Sequence, residues 1–198
     1  VVVRNDPSVA FLDVCSVPGV VRFLGARDEG EVLTALPFPM RFWTVDHPAG
    51  SPVLVSVNGF VALTGMLGNV RSVLLPSTSA PNGLVAVHGR DLETVDPLCV
   101  ATLGVAPLRR WVITWPRARE RNPAPLPTSE LSFQVVFSEQ TDTIDMVYRT
   151  MTDALDGYTG VENATGTAAV SGCPTEGTIE TFFCTPAASS SLRFIPAP

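Results

Sequence analysis

The chain has 198 residues, of which 45% are hydrophobic and 16% charged, the latter well below the about 25% of an ordinary soluble protein. All 13 basic residues are arginine and the formal net charge is −6, which leaves no cationic footprint for nucleic acid and no lysine for Schiff-base or general-base chemistry. The 18 prolines argue against long helices, because each removes a backbone donor and fixes φ.

The apolar pattern is that of short strands throughout. Residues 11–14 and 20–24 are apolar runs parted by Pro18-Gly19, a turn signal. Residues 36–43 alternate bulky groups with proline and suit a sheet edge or the approach to a strand. A strand over 52–57 ends at Asn58-Gly59, the strongest short hairpin signal, and its partner follows at 60–63. Residues 83–88 form another strand. Residues 98–103 and 110–115 make a hairpin around Gly104-Val-Ala-Pro107, with Trp111, Ile113 and Trp115 on one face and Arg110, Val112 and Thr114 on the other. A further hairpin joins 131–137 to 143–148. In it Leu131, Phe133, Val135 and Phe137 line one side, as do Ile144, Met146 and Tyr148 in the partner. The loop 120–129 holds three prolines, 150–155 has room for one helical turn, and 159–170 holds a strand. Residues 179–184 and 192–195 close the sheet, with Ser189-Ser-Ser191 as a flexible spacer. The predicted fold class is all-β: an antiparallel β-sandwich of jelly-roll type with two disulfides.

Cys15, Cys99, Cys173 and Cys184 make an even count without a C-x-x-C pair. The two histidines, His47 and His88, lie in different contexts, so a zinc site is not expected. Two disulfides in an oxidising compartment account for the cysteines better. Four cysteines allow three pairings. Cys173 and Cys184 lie 11 residues apart beside Gly172, Pro174 and Gly177, which makes a local clasp the easiest closure. That leaves Cys15 with Cys99, a crosslink worth about 2–4 kcal/mol. No leader and no apolar run of about 18 residues is visible, so the chain reads as a mature form whose export signal has been removed.

The chemistry-bearing residues have plainer uses. Asn58-Gly59 is explained by turn chemistry. Arg109-Arg110 beside Trp111 has the makings of an anion clamp, yet a strand end uses the same pair. Trp43, Trp111 and Trp115 would serve as a sugar platform or, more simply, as core. Asp142, Asp145, Asp153 and Asp156 lack the spacing of a calcium loop, and Asn163-Ala-Thr165 is a formal glycosylation sequon. No G-x-S-x-G elbow, Cys/His nucleophile signature or phosphate-cradling glycine loop occurs. No catalytic residue, metal or cofactor is expected.

The segments Leu36-Pro-Phe-Pro-Met-Arg-Phe-Trp43, Val55-Ser-Val-Asn-Gly-Phe60, Gly104-Val-Ala-Pro-Leu-Arg-Arg-Trp-Val-Ile-Thr-Trp115, Phe133-Gln-Val-Val-Phe-Ser-Glu139, Ile144-Asp-Met-Val-Tyr148 and Thr159-Gly-Val-Glu-Asn-Ala-Thr-Gly166 occur in an order that resembles bacterial exported domains of the nidogen-type extracellular module, of the kind found in myxobacteria-like secretomes. The likeness covers about residues 11–170. It departs from the family pattern at Gly89-Arg90 and at Leu108. The resemblance implies an exported β-sandwich of adhesion, matrix or surface proteins, with no catalytic residues to carry over.

The expected organisation is an N-terminal arm over 1–10 and a single sandwich domain over 11–198. The arm carries Val1, Val2 and Val3, apolar residues that the resembling region does not need. Such an arm can be donated to the sheet edge of a neighbour, and a contact of that kind builds a filament when its rotation does not close. The leading functional expectation is therefore a secreted structural or adhesive protein that self-associates or holds cell-surface or matrix components. The alternative is a monomeric extracellular module that binds carbohydrate or another ligand.

Overall fold

A computed structural model describes residues 1–23, 27–64, 73–121, 124–173 and 182–196. Two antiparallel sheets carry the fold. The first runs β1 (Val2–Arg4), β17 (Ser190–Phe194), β13 (Ile144–Thr152), β12 (Glu130–Ser138), β11 (Arg110–Glu120), β10 (Leu98–Leu103) and β2 (Val21–Phe23), with β9 (Leu92–Thr94) beside the second half of β11. The second runs β15 (Ala169–Ser171), β14 (Gly157–Glu162), β8 (Asn82–Gly89), β7 (Phe60–Thr64), β6 (Pro52–Ser56) and β3 (Glu31–Ala35), with β16 (Phe183–Cys184) beside β14. β4 (Met40–Phe42) and β5 (Val45–His47) make a separate hairpin. This is the all-β sandwich expected from the sequence.

Alternation builds the space between the sheets. Trp111, Ile113 and Trp115 of β11, Phe133, Val135 and Phe137 of β12, and Ile144, Met146 and Tyr148 of β13 face Val53, Val55, Val61, Val85 and Val87 of the second sheet. Each fully buried residue of this size contributes roughly 1.5–3 kcal/mol. The two large polar-tipped side chains fasten the layers directly. Trp115 Nε1 donates to Ser56 O at 3.1 Å, and Tyr148 Oη donates to Val87 O at 2.7 Å, so neither buried donor is wasted.

Pro116 lies inside β11, where it lacks a ladder donor. The strand accommodates it with a bulge: Trp115 pairs with Phe133, but the next pair is Ala118 with Leu131. One extra residue reverses which side chains point inward. Odd-numbered residues face the core before Pro116, and Ala118 and Glu120 do so after it.

Both sheets are also covered on their outer faces. The 11–14 run is not a strand but a strap across the first sheet. Leu12 and Gln134 exchange hydrogen bonds (Leu12 N–H to Oε1, 2.8 Å; Nε2 to Leu12 O, 2.9 Å). Val14 then packs with Cys99, Ala101, Val112 and Val136. A strap and a strand bury the same kind of apolar run, which is why the sequence suggests a strand there. On the second sheet Val73 and Leu75 cover Leu54, Phe60, Ala62, Leu84 and Ala86. The cystines join Cys15 to Cys99 and Cys173 to Cys184. Instead of a helical turn at 150–155, β13 runs on to Thr152 after a bulge that leaves Arg149 unpaired in the ladder. Of the strand expected at 179–184, β16 covers Phe183–Cys184, and 179–181 lie outside the described residues. The same holds for Leu24, beyond β2.

Candidate functional site

The residues singled out by sequence are distributed unevenly. Trp111 and Trp115 are core, at 2% and 0% exposure. Trp43 is only half-buried and sits in the two-residue turn between β4 and β5 with φ +57°. A bulky side chain in this left-handed region costs about 1–2 kcal/mol, and positions of this kind favour glycine. Trp43 stands in the wall of an open cleft of about 440 Å³, together with Phe42, Ile144, Val161, Phe194 and Val1. Arg41 and Asp142 are the charged residues at the cleft; the Asp142 carboxylate accepts the Arg41 backbone N–H at 3.1 Å.

This cleft lies on the open side of the sandwich. β1 is the edge of the first sheet and β15 the edge of the second. The arm residues Val1, Val2 and Val3 are docked on their own chain here, with Val2, Val3 and Arg4 opposite Phe194, Arg193 and Leu192. Ile195 N–H donates to Val1 O and Asn5 N–H to Ser191 O. By alternation, Val2 and Arg4 turn their backbone groups away from β17 and leave an unpaired edge. Arg193 holds the arm from below. It grips Asp145 with two bonds (2.7 and 3.0 Å) and Asp6 with a third (2.7 Å). Hydrogen bonds from Ser8 and the nearby Arg193 charge hold the Asp6 carboxyl below its ordinary range. Beyond that clamp, residues 5–11 span a cavity of about 360 Å³ whose far side is formed by Val147, Tyr148 and Arg149.

A buried ionic cluster joins the sheets at another place. Glu120, fully buried by the Pro116 register shift, accepts from Arg90 Nε (2.8 Å) and from Leu155 N–H (3.0 Å), and lies 3.0 Å from His88 Nε2. Arg90 also donates to Asp156 O. The cluster links β8, β11 and the 153–156 turn. It is enclosed and every oxygen of the carboxylate is engaged, so it serves as a structural clamp. Sequence reasoning passed over Glu120; the proline inside a strand was the signal that could have found it.

Other polar groups are similarly absorbed. Arg109 forms a two-bond pair with Glu139 (2.8 and 2.5 Å) and donates to Pro37 O, whereas Arg110 is exposed. Asp145 pairs with Arg193, and Asp156 accepts from Thr185 Oγ1. The carboxylates that do converge are Asp28, Glu29 and Asp91, with Arg121 beside Asp28 at 3.2 Å. The sequon asparagine, Asn163, caps the β14–β15 turn through bonds from Thr167 and Ala168 N–H. Asn58 is buried at its hairpin and accepts Leu92 N–H at 2.8 Å. His47 is buried, which pushes its pKa below the ordinary value against the pull of Asp46.

Glu162 is a buried carboxyl that accepts Ser77 N–H at 2.7 Å. Burial pushes its pKa from 4.5 up to about 7, with the Ser77 bond acting in the opposite direction. Between these values the native chain holds a proton that the unfolded chain has lost. This group's contribution to stability therefore declines as pH rises through that window. Glu162→Gln stays neutral and should gain, relative to the parent, on the order of 2 kcal/mol between pH 5 and pH 8. Urea unfolding of both proteins at the two pH values measures it; an unchanged difference would contradict the assignment.

The chain matches the family described as NIDO related, that is nidogen-related, over residues 11–196. No curated protein and no solved structure matches it. The cystines are in keeping with an extracellular location, and no helix among the described residues is long and apolar enough to cross a membrane. With a match that spans nearly its whole length, the chain belongs to the NIDO-related family, a non-enzymatic type of extracellular module.

Proposed function

We propose that the chain is a structural or adhesive extracellular protein whose copies join through the arm at 1–10, the arm of one copy taking the β17 edge of the next. The observation that carries this reading is how the arm is held. Three residue pairs join β1 to β17, and the stretch that follows lines a cavity, held to the sheet by the Arg193–Asp6 contact and by the Arg149 guanidinium over the Phe11 ring. An arm supplied by a neighbour makes the same ladder and the same Arg193–Asp6 contact, so exchange gives up nothing enthalpically. The body over 11–198 is then the repeating unit. A head-to-tail contact of this kind extends into a filament when its rotation does not close. The unpaired outer edge of β1 offers the same side to a strand of a cell-surface or matrix partner.

Deleting residues 1–8 tests the reading. Light scattering should show large particles for the parent and loss of every species beyond a dimer for the truncated chain, with matching circular dichroism. Particle size unaffected by the deletion would refute it.

A further inference from the structure

Register partners mark one end of the first sheet. Leu103 pairs with Arg110 and Arg110 with Ser138; one residue along, Ile144 pairs with Phe194 and Phe194 with Val2. Two apolar features lie beyond this row. One is convex: residues 104–108, Gly-Val-Ala-Pro-Leu, five residues without a charge. Leu108 N–H donates to Val105 O at 2.8 Å, and a Cβ on Gly104 would come within 3.0 Å of Leu108 O, so the tip is a closed, defined turn. Its side chains point away from the body, with Val105 77% and Leu108 62% exposed. The other feature is concave: the Trp43 cleft of about 440 Å³.

The tip stands over β10 and β11 and the cleft beside β17 and β1. At about 4.8 Å per strand the two are roughly 15–20 Å apart on the same end. The loop between them presents Gln140 and Thr141, both exposed and uncharged. A two-fold axis crossing the row at this loop exchanges the two positions, so that tip meets cleft twice and the exposed Gln140 and Thr141 lie nearest their own copies.

We propose that a second copy of this chain covers this end, with the 104–108 tip of each copy seated in the Trp43 cleft of the other. The tip brings no charged side chain of its own into the cleft, where it meets Arg41 and Asp142 of opposite sign, and Val105 and Leu108 offer a cleft of this size two aliphatic groups to enclose. A lipid surface fits less well. A flat bilayer leaves the cleft unfilled, and the net charge of −6 opposes anionic headgroups. The contact does not depend on arm exchange, because the tip lies outside the arm and a Val1 docked on β17 lines the cleft whichever copy supplies it.

The test uses a chain whose arm is locked to its own β17. Arg4→Cys with Leu192→Cys places two thiols at directly opposed positions of the ladder, and their disulfide removes exchange as a source of association. Sedimentation equilibrium of the locked chain should show a monomer–dimer equilibrium. Leu108→Asp should raise the dimer dissociation constant about tenfold or more. Trp43→Gly should do the same; glycine tolerates the φ of +57°, so the turn is kept while the wall is lost. Mixing the two variants should restore part of the association, because one intact tip then meets one intact cleft. A locked chain that is monomeric at every concentration overturns the proposal, as does a dimer indifferent to Leu108→Asp. It is equally overturned if the monomer co-sediments with phosphatidylglycerol vesicles, or binds glycans on an array, in a manner abolished by either substitution.

Discussion

Glu120→Ala is expected to destabilise the fold by about 3–5 kcal/mol, the range for breaking a buried ion pair from one side. The side chain is fully buried and satisfies three groups at once: Arg90 Nε, His88 Nε2 and the Leu155 amide. Removing it takes the carboxylate from a largely buried guanidinium and orphans a backbone donor, each of which carries a desolvation cost. Arg90 can relax in part, being 19% exposed and also bonded to Asp156 O. Arg90→Ala should therefore cost less, and the double variant less than the sum, with a coupling of about 1–3 kcal/mol. Urea unfolding of the four proteins measures the cycle. A loss below about 1 kcal/mol for Glu120→Ala would mean that the cluster does not fasten the sheets.

The second large effect is expected from Cys15–Cys99. It closes a separation of 84 residues, against 11 for Cys173–Cys184. Restriction of the unfolded chain then gives about 4.5 kcal/mol for the long closure and about 3 kcal/mol for the short one. The long crosslink also fixes the strap whose Val14 covers Val112 and Val136. Replacing Cys15 and Cys99 by alanine should lower the urea midpoint more than the equivalent change at Cys173 and Cys184. The reverse order would show that the strap contributes little once the sandwich is formed.

What was legible in the sequence was what period 2 controls. Trp111, Ile113, Trp115, Phe133, Val135 and Phe137 announce their faces because a strand alternates and the core is apolar. Irregular cover is not periodic. Residues 11–14 read as a strand because apolar burial beneath a strap and within a ladder select the same side chains. Val112 and Val136 have a buried outer face for the same reason. Glu120 was hidden by a shift of one residue at Pro116, and His88 and Arg90 are about 30 positions away in sequence. The Trp43 turn had no asparagine or glycine to reveal it, since the residue in the left-handed region is a tryptophan. The arm was visible as apolar residues outside the body, but its docking on β17 depends on register with Leu192–Phe194, which no local pattern encodes.

The proposal that copies join by their arms is tested most directly by cross-linking between two populations. Arg4 and Leu192 face one another across the β1–β17 ladder, so chains bearing only Arg4→Cys are mixed with chains bearing only Leu192→Cys and oxidised. The chain carrying both substitutions, in which the bond can form within one copy, controls for geometry. Arm exchange predicts a covalent dimer that forms on mixing and is absent from either population alone. If the doubly substituted chain closes its bond while the mixture gives no dimer, each arm stays at home and the assembly account fails.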